Sequence, residues 1–245
     1  YSANNAPEPR DGMRYPGHYY SGNTRATGIV EALSTSKSDW TVADAQAIQL
    51  DHHSLVYSKK EAMMVALAQE AGDQMERYMK EWNGSHLGNQ IAPTLYYRWM
   101  YRTIEGAMAD EFEQQATDGT ADDKFEAFHR TIVSENTFPR LLANADSPWW
   151  DDVRTSNVES AAEIVAGALR TARVDVKEAL GADTSNWRYD RLHQVTHRHA
   201  MSSVPIIGDW LSIGAIPLPA AKDALNKYEF KLKKEVDYEV FSGPS

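Results

Sequence analysis

Tyr1-Ser-Ala-Asn-Asn-Ala-Pro-Glu-Pro9 opens the chain, and Gly22-Asn-Thr-Arg-Ala-Thr-Gly-Ile-Val-Glu-Ala-Leu33 follows a Tyr15-Pro16 turn. Pro, Gly, Asn and Tyr crowd the first two dozen residues, which read as a strand followed by an ordered loop. Asn4-Asn5 ahead of Pro7 is, taken alone, ordinary turn chemistry, because Asn side chains bond their own backbone. The character changes near Arg25. Ile29, Val30 and Leu33 fall on one side of a predicted helix. Arg25 stands in its first turn, where a cation is mildly unfavourable against the helix dipole. A residue so placed wants a specific partner.

Outward from this stretch the pattern is helical. Thr41-Val-Ala-Asp44 after Trp40 reads as a helix start with an acid in its first turn. Ala62 to Ala71 and Thr94 to Phe112 show helical spacing. In the second, Leu95, Trp99, Ile104 and Met108 lie near one face, and Tyr96 and Tyr97 widen it. Val158 to Leu180 is the clearest helix, with Gly181 where a C-terminal cap belongs. Pro205, Pro217 and Pro219 then break the pattern into loops. Lys227-Tyr-Glu-Phe-Lys-Leu232 and Glu235-Val-Asp-Tyr-Glu-Val-Phe241 alternate with period two and read as two strands. No internal repeat or linker divides the chain. The predicted organisation is a strand and loop over 1–24, a helical region over 25–185, and loops with terminal strands over 186–245. A strand running straight into Ser245 fits a piece of a larger sheet.

Composition narrows the function. The chain has 245 residues, 42% of them hydrophobic, enough for a sizeable core. Its 35 acidic and 25 basic residues give a net charge of -10. That balance repels phosphate backbones and anionic lipid, so neither nucleic acid nor a membrane is an expected partner. No apolar run approaches the roughly 18 residues of a membrane span. No leader opens the chain, so a secretion signal is expected to lie upstream or to have been removed. The absence of cysteine excludes disulfides, thiolate metal sites and a Cys nucleophile.

The opening stretch resembles the point in penicillin acylases where a short strand delivers an Asn to the oxyanion hole and an Arg at the next helix start braces it. Asn4, with Asn5 beside it, and Arg25 are the matching residues. Further matches follow in order. Trp40 to Asp51 with Ser54 looks like the family's helix after the Arg, with its Asp-x-x-Ser pattern. Glu81-Trp-Asn-Gly84 looks like its Trp-Asp-Gly turn, with Asn83 in the acidic place. Ser147-Pro-Trp-Trp-Asp151 is similar to a further family segment. Trp187, Tyr189, His193, His197 and His199 fit its Trp and His pattern, with Asp190 replacing a Gly. Asn226 and Ser242-Gly-Pro-Ser245 match an Asn before a strand and a turn into the last strands.

The resemblance implies an α/β fold, the four-layer αββα sandwich of an N-terminal nucleophile hydrolase. This segment would supply mostly helical insert and a few strands, from the later part of the large catalytic chain. It also implies hydrolysis of an acyl amide, linear or on a β-lactam side chain, by an N-terminal Ser lying upstream. Such a Ser uses its own amine as base, and an Asn side-chain N–H is a neutral, directional donor for the oxyanion. Asn4 would be that donor and Arg25 would orient it. The implied partners are a small acyl-amide substrate, the small chain and the upstream part of the large chain. Maturation by self-cleavage and export to the periplasm are implied in the same way. No cofactor is expected in this segment; calcium is possible in the full enzyme, although the Tyr15, Tyr19 and Tyr20 loop shows no evident acidic ligand.

Other constellations have plainer readings. His193 and His197, four apart with His199 following, could offer two imidazoles to a metal from a helix or turn. No Glu completes a His-Glu-x-x-His pattern, and the resembling family uses these residues structurally. His52-His53 would diverge on a helix. Tyr97, Trp99, Trp149 and Trp150 could line an acyl pocket, but aromatics in a helical insert are more often core. A rival reading, from another class, is a non-catalytic helical module that holds a ligand or partner on its Trp/Tyr surface.

Overall fold

The computed structural model describes residues 3–6, 11–12, 14, 24–34, 37–55, 60, 73–115, 119–204, 206–228, 230–236 and 238–240. Helices dominate them: α1 (Thr24–Leu33), α2 (Val42–Gln49), α3 (Asp73–Glu81), α4 (Ala92–Gln115), α5 (Ala121–His129), α6 (Ile132–Leu142), α7 (Ala161–Leu180) and the short α8 (Ile207–Leu211). The strands form two antiparallel pairs, β1 (Gln194–His197) with β2 (Ile213–Pro217), and β3 (Phe230–Leu232) with β4 (Tyr238–Val240). The helical stretch predicted over Ala62–Ala71 lies outside the described residues, as do Ser2, the Tyr15–Tyr20 loop and Ser242–Ser245.

Local chemistry explains the boundaries. Thr41 starts α2 with a capping box: its side chain accepts from the Asp44 N–H, and the Asp44 carboxylate takes the Thr41 N–H at 2.8 Å. Ser160 and Glu163 repeat the device at α7. The helix predicted from Val158 therefore begins at Ala161, and Val158 is exposed. Its end is as expected. Gly181 adopts φ 90°, a region that favours glycine, and its N–H reaches the Lys177 carbonyl at 2.8 Å.

The core lies around α4, which packs along α7 and α5. Leu95, Tyr96, Trp99 and Ile104 are sealed from solvent. From α7, Val165, Leu169, Ala172 and Val176 supply the facing stripe at helical spacing. Trp99 also donates its indole N–H to the Val165 carbonyl at 3.3 Å. Burying one such aromatic contributes roughly 1.5–3 kcal/mol through the hydrophobic effect. Tyr97, Trp99 and Trp150 are thus core residues, whereas Trp149 is exposed.

An ionic cross-tie closes this layer. Asp175 of α7 accepts from Arg98 Nε at 2.5 Å and from Arg102 Nε and Nη2 at 2.7 and 2.9 Å. Arg98, itself buried, spends its other donors on the Lys233 and Lys234 carbonyls at 2.8 and 2.6 Å. The terminal strands are thereby tied to the helices. Phe230 and Leu232 turn inward as their alternation predicts.

Two faces depart from the sequence reading. The apolar stripe of α1 is not covered by the described residues, since Val30 and Leu33 are 43% and 48% exposed. The region after His193, read as a helix or turn and then loops, is a hairpin. Every residue of β2 is exposed, and Trp210 of α8 is 83% exposed. Pro205 and Pro217 disguised the hairpin, the latter by ending β2.

Candidate active site

Asn4 sits in the left-handed backbone region at φ 61°, which Asn tolerates better than most residues. Beneath it the chain is anchored: Ala3 is buried, and its N–H donates to Asn5 Oδ1 at 3.2 Å. Asn5 Nδ2 reaches the Ala6 carbonyl at 3.1 Å. This local net turns the Asn4 side chain outward.

Arg25, in the first turn of α1, then fixes the amide. Its Nη1 donates to Asn4 Oδ1 at 3.0 Å. A guanidinium has donors and no acceptor, so the amide atom facing it must be the oxygen. The Asn4 Nδ2 therefore points away, with two N–H bonds that find no partner among the described residues. Arg25 Nε is buried and also without a hydrogen-bond partner. The two residues singled out in the sequence thus come together in space, as a braced pair presenting a neutral donor.

A second assembly collects most of the remaining motifs. The Trp82-Asn83-Gly84 turn is held by Asn83 Oδ1, which accepts the Ser85 N–H at 3.1 Å, and by Gly84 at φ 89°. Ser54 donates its N–H to the Gly84 carbonyl at 3.0 Å, and His53 bridges Ser85 in antiparallel fashion. Asn226 donates to the Asp51 carbonyl at 2.8 Å. Sequence reasoning passed over His86, which is fully buried here. Its Nδ1–H donates to the Gly84 carbonyl at 2.8 Å, and its Nε2 accepts from the Tyr97 hydroxyl at 3.0 Å. The one available signal was its place two residues after the glycine of that turn.

Tyr189 packs edge-on against His86, stacks on His193 with ring centres 4.6 Å apart, and donates to the Ala220 carbonyl at 2.9 Å. His193 Nδ1–H donates to the Leu218 carbonyl at 3.0 Å. Burial pushes His86 down to about 3 and His193 to about 4, so both are neutral rings. These aromatics and histidines pack into one buried, hydrogen-bonded cluster. His197, the last residue of β1, and His199 beyond it are exposed, whereas His193 just before β1 is buried.

His52 and His53 need a correction. They lie beyond the end of α2, not on a helix, and their rings are 4.5 Å apart. With Asp51 they place three ligand atoms within 4.8 Å of one another. Asp51 Oδ1 is already engaged by the N–H and Nδ1 of His53, at 2.9 and 2.8 Å. One carboxylate and two imidazoles are also a poor match to calcium, which takes six to eight oxygen ligands.

Among the described residues, two clefts of the helical layer stand out. One, about 420 Å³, is lined by charges that are largely matched, such as Arg102 with Glu105 and Arg154 with Glu113 and Asp152. The other, about 360 Å³, is mainly apolar.

Residues 1–245, the whole chain, match the penicillin amidase family. The chain is 26% identical over 231 residues to acyl-homoserine lactone acylase QuiP of Pseudomonas aeruginosa, covering 81% of this chain and 26% of that protein. A QuiP of Pseudomonas syringae pv. syringae is 31% identical over 107 residues, or 42% of this chain and 13% of the relative. One of Pseudomonas fluorescens is 42% identical over 53 residues, or 22% and 7%. The chain therefore spans about a quarter of the length of the Pseudomonas aeruginosa relative. With the match running from its first residue to its last, the chain belongs to the penicillin amidase family.

Proposed function

We propose that this chain is the later part of the large catalytic chain of an amide hydrolase and supplies the braced oxyanion donor of its site. The bond from Arg25 to the Asn4 oxygen carries the reading, because it leaves the Asn4 N–H groups aimed outward. The nucleophile is an N-terminal Ser outside this stretch, activated by its own amine. As it attacks the acyl carbonyl, negative charge develops on oxygen, and Asn4 Nδ2 donates to it. A donor held in place before the reaction needs no reorganisation at the transition state, which is where its advantage lies. Arg25 acts through Asn4 as a positioning residue.

The products are a carboxylic acid and an amine, and relatives named for acyl-homoserine lactones favour an N-acyl substrate. The rest of the enzyme would complete the α/β sandwich and cover the exposed faces of α1 and the β1–β2 hairpin. Large apolar faces of that kind usually mark an interface. No helix among the described residues is long and apolar enough to cross a membrane; export to the periplasm is part of the same proposal. No step is routed through calcium.

The deciding experiment uses the full-length mature enzyme with Asn4→Gly, which keeps the backbone region accessible and removes the donor. A fall in turnover with unchanged melting supports the reading; full activity in the folded variant overturns it.

A further inference from the structure

The apolar cleft between α4, α5 and α6 has about 360 Å³ of space, inside the range of roughly 300–1,000 Å³ typical of small-molecule sites. Met108 and Leu141 form its buried floor. Phe112 and Phe128, with ring centres 5.4 Å apart, and the exposed Trp149 complete the apolar lining.

Its polar side is one-sided in charge. Arg140, exposed in the last turn of α6, makes no ion pair or hydrogen bond among the described residues. Asn144 and Ser147 join it in the lining. The Asn144 carbonyl is taken by Trp150 Nε1 at 2.8 Å, while its side-chain amide has no partner among the described residues. Ser147 Oγ accepts the Trp149 N–H at 3.4 Å, leaving its own proton to donate. Among the described residues no carboxylate lines the cleft, although the chain carries 35 acidic residues. A single unmatched guanidinium beside an apolar trough fits a monoanion with an apolar tail. The planar fork of Arg suits a carboxylate in particular.

We propose that this cleft binds a medium-chain carboxylic acid, its tail among Met108, Phe112, Phe128, Leu141 and Trp149 and its carboxylate on Arg140. The site uses neither Asn4 nor Arg25 and does not rest on the amidase reading. A fatty acid would also enter an acyl pocket elsewhere in the enzyme, so the test must report location. Full-length enzyme is irradiated with decanoic acid carrying a diazirine at its tail, and labelled peptides are mapped by mass spectrometry. Labelling is expected on the peptides that contain Phe112, Phe128 or Trp149. Arg140→Glu should reduce it about tenfold or more, and Arg140→Lys should keep part of it, since one charge-assisted bond is at stake. The matching decanol probe should label these peptides weakly. Label confined to other peptides overturns the proposal, as does label unchanged by Arg140→Glu or equal with the alcohol. None of those outcomes bears on Asn4.

Discussion

Arg25 reaches back 21 residues to donate its Nη1 to the Asn4 amide oxygen at 3.0 Å, and so decides which way the amide nitrogen faces. Removing an oxyanion donor costs about 10²–10³ in turnover. Asn4→Gly in the full-length enzyme is expected to show such a loss in kcat, with a smaller change in KM. Steady-state kinetics beside a thermal melt separate this from a turn residue, whose loss would lower the melting temperature and leave kcat alone.

Arg25→Lys should behave differently from Arg25→Ala. A lysine keeps the charge but loses the planar fork. If Arg25 acts only by orienting Asn4, then either change in the Asn4→Gly background adds little. A double-mutant cycle on kcat/KM measures this. Fully additive effects would show that Arg25 acts independently of Asn4.

Asp175→Ala is expected to destabilise the fold by about 3–5 kcal/mol, because it leaves the buried Arg98 guanidinium without its carboxylate, while Arg102 keeps Glu105. Arg98 is 4% exposed and has little water to turn to. Urea titration of the enzyme reads the loss. Hydrogen exchange should rise at Phe230–Leu232 too, since Arg98 also holds the carbonyls just beyond β3.

Acid should weaken the fold before any carboxylate reaches its ordinary range. Burial holds His86 down to about 3 and both His129 and His193 to about 4. As pH falls below about 6.5, the unfolded chain binds these protons and the folded chain does not, so stability is lost between about pH 6.5 and 4. Burial beside Asp110 pushes Glu111 up to about 7, and that group works in the opposite direction over part of the window. Each uncompensated proton contributes a slope of about 1.4 kcal/mol per pH unit. Among the described residues, neither ring nitrogen of His129 has a hydrogen-bond partner. His129→Leu should therefore flatten the slope by one proton and raise stability at pH 5, as denaturant midpoints across pH would reveal.

What the sequence made legible was whatever local rules control. Thr41 with Asp44, Gly181, the aromatic face of α4 and the alternation at Phe230 and Leu232 all follow from spacing and propensity. Asn4 and Arg25 were found as a pair because the resemblance fixed their order along the chain. The β1–β2 hairpin was hidden, since its strands bury little and Gly and Pro punctuate them. His86 was hidden for another reason. Its burial comes from Tyr97 and Tyr189, rings far away in sequence that no local pattern links to it. The stripe of α1 satisfied the helix pattern, yet the described residues do not cover Val30 and Leu33.

Of the seven tryptophans, Trp210 at the hairpin stands farthest into water, at 83% exposure, while Trp82, Trp99, Trp150 and Trp187 are sealed in the core. The arm thus carries its own optical probe. An indole in water emits at longer wavelength than one among side chains, so the proposed docking of the hairpin would shift Trp210 most strongly to the blue, with Trp40 and Trp149 half-exposed and the other four indoles already buried. The proposed assembly could in this way be followed by the chain's own light, without a dye or a tag.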